Sequence, residues 1–133
     1  MIKMNPFFEI KAKLAKFPQL KLIEGENNLI IYPVDETGFK IEYIDHGENY
    51  TVKFEEWEQS FITDEFKSSL NCLGFGLSKF CRLKVYSKKG LDFKWEMESY
   101  IDGNWKQNSS KMIPNNKFWQ RTKVRILSNN LMQ

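Results

Sequence analysis

Two dipeptides, Lys89-Gly90 and Asp102-Gly103, break residues 80 to 127 into runs in which apolar and polar positions alternate. In a strand, successive side chains point to opposite faces, so Cys81, Leu83 and Val85 share one side while Phe80, Arg82, Lys84 and Tyr86 share the other. Leu91, Phe93, Trp95 and Met97 alternate in the same way with Asp92, Lys94, Glu96 and Glu98. Glycine after Lys or Asp supplies the backbone freedom of a tight hairpin turn. The segment therefore predicts antiparallel strands with one apolar and one charged face, in a sheet covered on one side only.

The first half adds helices to this pattern. Asn5-Pro6 is a capped helix start, Phe7, Ile10, Leu14 and Phe17 follow at helical spacing, and Pro18 ends the run. Four strand-like runs come next: 19 to 24, 28 to 32, 38 to 44, and a last one in which Tyr50, Val52 and Phe54 alternate with Thr51, Lys53 and Glu55. Thr63, Asp64 and Glu65 then open a second helix with Phe66, Leu70 and Leu73 on one face, and Gly74 and Gly76 are expected to stop it. Residues 118 to 127 alternate as well, with Arg121, Lys123 and Arg125 on one face if extended, and fit either an edge strand or a helix. The order α-β4-α-β3/4 predicts a single α+β domain over 1–133, an antiparallel sheet of about 6–8 strands in meander order with two helices packed on one face. Its expected core joins Phe66, Leu70 and Leu73 to Leu83, Val85, Phe93 and Trp95.

A chain of 133 residues with 41% hydrophobic and 15% aromatic content can bury enough apolar area to offset its ordering entropy. No apolar run reaches the roughly 18 residues that cross a bilayer. Met1 to Pro6 lacks the pattern of a secretory leader, which places the expected location in the cytoplasm and leaves Cys72 and Cys81 as reduced, buried thiols.

Charge is unevenly spread. Residues 81 to 133 hold 11 Lys and Arg against 4 Asp and Glu, whereas residues 1 to 80 hold 9 against 13. Arg82, Lys84, Lys94, Arg121, Lys123 and Arg125, with Tyr86, Trp105 and Trp119 near them in sequence, interleave cations and aromatics, as single-stranded nucleic-acid readers and protein interfaces both do. The binding candidates are Arg82, Lys84, Trp105, Trp119, Arg121, Lys123 and Arg125.

Catalytic signals are sparse. Asp45-His46 could orient an imidazole for general-base work but lacks a nucleophile, and Glu55, Glu56, Glu58, Asp64 and Glu65 form an acidic run that could contain a carboxylate pair for acid/base catalysis. Turn chemistry and a solvated face explain both more simply. Gly74 to Lys79 follows a helix instead of opening one, unlike a phosphate loop, and one His with two separated Cys makes no metal motif. No cofactor is expected.

Trp57 to Phe61, Gly76-Leu77-Ser78, Arg82-Leu83, Lys94-Trp95-Glu96-Met97-Glu98, Asp102-Gly103-Asn104-Trp105 and Phe118-Trp119 occur in an order that resembles a group of small bacterial single-domain proteins of no established activity. The group often places His after the first Trp. Glu58 stands there in this chain, so no role for that His carries over. The resemblance implies an accessory or immunity-type protein. Together these readings favour a non-enzymatic protein-binding module, with single-stranded RNA or another polyanion as the second choice of ligand and a hydrolase using His46 and nearby carboxylates as the third.

Overall fold

The computed structural model describes residues 5–114 and 120–131. Helix α1 (Pro6–Leu14) is capped as expected: the Asn5 side-chain oxygen accepts from the backbone N–H groups of Phe7 at 3.0 Å and Phe8 at 3.4 Å. Phe7, Ile10 and Leu14 form its buried face.

Strands β1 (Lys21–Glu24), β2 (Asn28–Tyr32), β3 (Ile41–Asp45), β4 (Asn49–Phe54) and β5 (Trp57–Ile62) make an antiparallel meander in chain order. A 3-10 turn at Thr63–Glu65 leads into α2 (Phe66–Leu77). Then follow β6 (Cys81–Lys88), β7 (Leu91–Ile101), β8 (Asn104–Met112) and β9 (Thr122–Leu127). They form a second antiparallel sheet in the order β8-β7-β6-β9, in which the last strand returns beside the first, a Greek-key path.

The α+β class, the antiparallel strands and the two helices match the sequence reading. The strands divide between two sheets instead of forming one. The physical reason lies in α2, which packs on β3, β4 and β5 as well as β6, and so stands between the two halves of the strand sequence. Leu29, Ile31, Ile41, Tyr43, Val52 and Phe54 give the three central strands of the first sheet, β2 to β4, a buried, largely apolar inner face. Leu73, Leu83, Val85 and Trp95 join this core, Phe66 and Leu70 pack against it, and Phe93 is only half-buried.

Gly74 and Gly76 do not stop α2, which runs through both to Leu77. The helix ends where Ser78 donates twice to the Phe75 carbonyl, through its backbone N–H at 3.0 Å and its hydroxyl at 2.7 Å. The segment after β9 ties the layers together. Ser128 N–H donates to Thr37 O at 2.8 Å, Asn129 accepts from Phe39 N–H and donates to Gly76 O, both at 3.0 Å, and Leu131 N–H reaches Leu77 O at 2.7 Å.

Both cysteines are free, Cys81 fully buried and Cys72 half-buried. Burial pushes the Cys72 thiol up to about 12 and raises that of Cys81 further, which leaves neither as a thiolate near neutrality. Among the described residues no helix is long and apolar enough to cross a membrane.

Candidate binding surface of the second sheet

Antiparallel register decides which of the basic and aromatic residues meet. Arg82 pairs with Glu98, Lys84 with Glu96 and Tyr86 with Lys94 across β6 and β7. On the other side of β6, Lys84 pairs with Ile126 and Tyr86 with Val124. Lys94 lies across from Met112 of β8. All of these residues therefore share the outer face of the sheet, away from the core side taken by Leu83, Val85 and Trp95.

Arg82 is held from two directions. Its Nε donates to Glu98 Oε1 at 2.5 Å, and its guanidinium carbon lies 4.3 Å from the Trp105 ring centroid, a stacked cation–π contact. Trp105 in turn packs against Tyr100 with centroids 5.2 Å apart. Glu96 receives Lys94 Nζ at 3.2 Å and the Tyr86 hydroxyl at 3.2 and 3.3 Å. These neighbours cover both carboxylates, so Glu96 and Glu98 are each only 7% exposed on a face that the alternation marks as solvent-facing. Val124, Ile126 and Met112 remain 47%, 54% and 64% exposed beside them.

The basic candidates thus separate. Arg82, Lys84 and Trp105 stand together on the outer face. Lys123 and Arg125 lie across from Ser87 and Val85 on the opposite face, with Arg121 just before the strand, and Trp119 lies outside the described residues. Period-two alternation is the cause: β9 is extended, so its cations share one face as expected, but the register places that face on the core side of β6. Arg125 extends past the core to Asp92, which accepts from both terminal guanidinium nitrogens at 2.9 and 3.1 Å. Those bonds raise the Arg125 pKa, and Glu55 adds a further nearby negative charge.

Three features of this surface escaped the sequence. The burial of Glu96 and Glu98 is not marked by the local alternation; the cross-strand spacing of Arg82 and Lys94 is the available signal for their pairing. Asp92, and the exposed Val124 and Ile126, depend on the long-range pairing of β9 with β6, which local pattern does not specify.

The catalytic candidates have structural partners. The exposed His46 ring has its Nε2 2.9 Å from Thr51 Oγ1, which is 3.3 Å from Ser60 Oγ. Thr51 is buried, 6% exposed, between those two groups. Asp45 accepts from Gly47 N–H at 2.8 Å within the β3–β4 turn. The acidic run is dispersed: Glu55 accepts from Lys40 N–H at 2.6 Å, Glu58 faces Lys111 at 3.9 Å, and Glu65 accepts from Ile62 N–H at 3.0 Å. Among the described residues no group of three or more His, Cys, Asp or Glu side chains is placed to hold a metal ion.

No protein-family model, curated protein or solved structure matches the chain.

Proposed function

We propose that this chain is a non-enzymatic protein-binding module that engages its partner through the second sheet, in the manner of an accessory or immunity-type protein. The observation that carries the reading is Arg82, fixed between Glu98 and Trp105 on the same face as the exposed Val124, Ile126 and Met112. An arginine already ordered by its neighbours loses little entropy on binding, and arginine, tryptophan and apolar area together make up the residues that dominate protein interfaces. The signs of charge favour protein over polyanion. Glu96 and Glu98 are interleaved with Arg82, Lys84 and Lys94, and a phosphate backbone gains most from a groove of one sign.

A photoreactive side chain at position 126 tests this in the cell that makes the protein. A discrete adduct that survives nuclease and is destroyed by protease is the expected result. A nuclease-sensitive adduct assigns the face to nucleic acid, and adducts that form from α1 positions but not from 126 or 105 move the interface elsewhere.

A further inference from the structure

Among the described residues four strands sit at sheet edges, and three are blunted. β1 is four residues long and carries the Lys11–Glu24 ion pair, 2.7 Å between Nζ and Oε1. β5 and β8 lie against one another, linked by Trp57 Nε1–H donating to Ser109 Oγ at 2.8 Å and by Lys111 facing Glu58. β8 is further interrupted by a bulge at Asn108. β9 is different. Thr122-Lys123-Val124-Arg125-Ile126-Leu127 contains neither Gly nor Pro, its register with β6 is unbroken, and among the described residues it pairs with β6 alone. Every second residue of such a strand turns its N–H and C=O away from its one neighbour, which is the template for adding another strand.

The side chains of β9 restrict what can be added. A second copy of β9 is disfavoured. The two face-preserving antiparallel registers that pair most of the strand set Lys123 against Arg125, or Arg125 against itself, and in-register parallel pairing sets each cation beside its copy. A strand with carboxylates opposite Lys123 and Arg125, and apolar side chains opposite Val124 and Ile126, satisfies both faces at once. Asp92 holds the Arg125 guanidinium at the inner side, so the cation is fixed in position before a partner arrives.

We propose that β9 accepts an extended segment of a partner protein in which acidic and apolar residues alternate, making it a fifth strand of the second sheet. The added strand extends the outer face beyond Val124 and Ile126 toward the partner's body, and its carboxylates lie over Lys123 and Arg125. This rests on the protein-binding reading above and names the mode of binding.

The probe is an eight-residue peptide of alternating Glu and Val, compared with the same peptide carrying Lys for Glu and with one N-methylated at alternate residues. Backbone amide shifts and hydrogen exchange of the intact protein are followed during titration. The Glu peptide is expected to bind with an affinity that falls as salt rises, to shift the Val124 and Ile126 methyls, and to protect alternate β9 amides. The Lys and N-methyl peptides should bind at least tenfold more weakly, and Lys123→Glu should narrow the preference for Glu over Lys. Equal binding of the Glu and Lys peptides, shifts that map away from β9, or no shift at millimolar peptide overturns strand addition. A protein adduct from position 126 still stands in that event, so the mode of binding can fail without the protein-binding reading failing with it.

Discussion

Phe54 lies against the bare Cα of Gly76: a Cβ built there would stand 2.5 Å from Cε1 and Cζ of the ring and 3.2 Å from Ile41 Cδ1. The close approach lets α2 sit directly on the first sheet, and explains a glycine that a helix interior otherwise disfavours. Gly74, two residues earlier, has open space where its Cβ would be. Gly76→Ala should therefore destabilise the fold by about 1–3 kcal/mol through overpacking. Gly74→Ala should stabilise it by about 0.5–1 kcal/mol through helix propensity. Urea unfolding of the two variants checks the opposite signs.

Asn129 ties the β2–β3 connection to α2 by accepting from Phe39 N–H and donating to Gly76 O. Asn129→Ala leaves both backbone groups without these partners in a part-buried site, and the expected cost is about 1–3 kcal/mol. Asn129→Asp keeps the acceptor but loses the donor, so its loss should be confined to the α2 contact. Exchange rates at Phe39 N–H, slow in Asp and fast in Ala, distinguish the two.

Two arginine pairs differ in burial and should differ in worth. The Arg82–Glu98 side chains are 23% and 9% exposed, against 49% and 35% for Arg125–Asp92. Arg82→Ala strands a covered carboxylate and should cost about 1–3 kcal/mol. Arg125→Ala should cost less than about 1 kcal/mol, because water screens the pair. Denaturation midpoints of both variants against wild type measure the contrast.

Alkaline pH should weaken the fold. Burial raises Tyr43 well above its ordinary value of 10.0 and raises Cys72 and Cys81 above theirs of 9.0. Each group keeps its proton in the folded state after the unfolded chain has lost it, so the stabilisation is intact below pH 9 and falls as pH rises past the unfolded values. The slope approaches about 1.4 kcal/mol per pH unit for each group in that window. Unfolding free energies from pH 7 to 11 should stay level, bend downward near 9 and steepen near 10. Replacing both cysteines by alanine should remove the first bend.

Local chemistry made α1 legible through Asn5-Pro6 and the spacing of Phe7, Ile10 and Leu14, and period-two alternation did the same for β4, β6 and β7. The division into two sheets was not legible, because it depends on where α2 lies and on β9 crossing back to β6, contacts distant in sequence. The same limit explains the glycines: a helix stop and a close helix–sheet contact both call for glycine, and only Phe54 behind Gly76 tells them apart. In the binding surface, alternation correctly put Lys123 and Arg125 on one side of β9, while Arg121 falls just before the strand. It carried no information on which side of the sheet that was, and so could not separate them from Arg82 and Lys84.

Affinity for the protein recovered from the position-126 adduct, measured with purified components for wild type, Trp105→Ala, Ile126→Glu and Phe8→Glu, compares the second sheet with a distant surface. Phe8 is 67% exposed on α1 and serves as the control. Trp105→Ala and Ile126→Glu should each weaken binding at least tenfold, about 1.4 kcal/mol, while Phe8→Glu leaves it unchanged. Wild-type affinity in Trp105→Ala and Ile126→Glu, with loss in Phe8→Glu, would contradict binding through the second sheet.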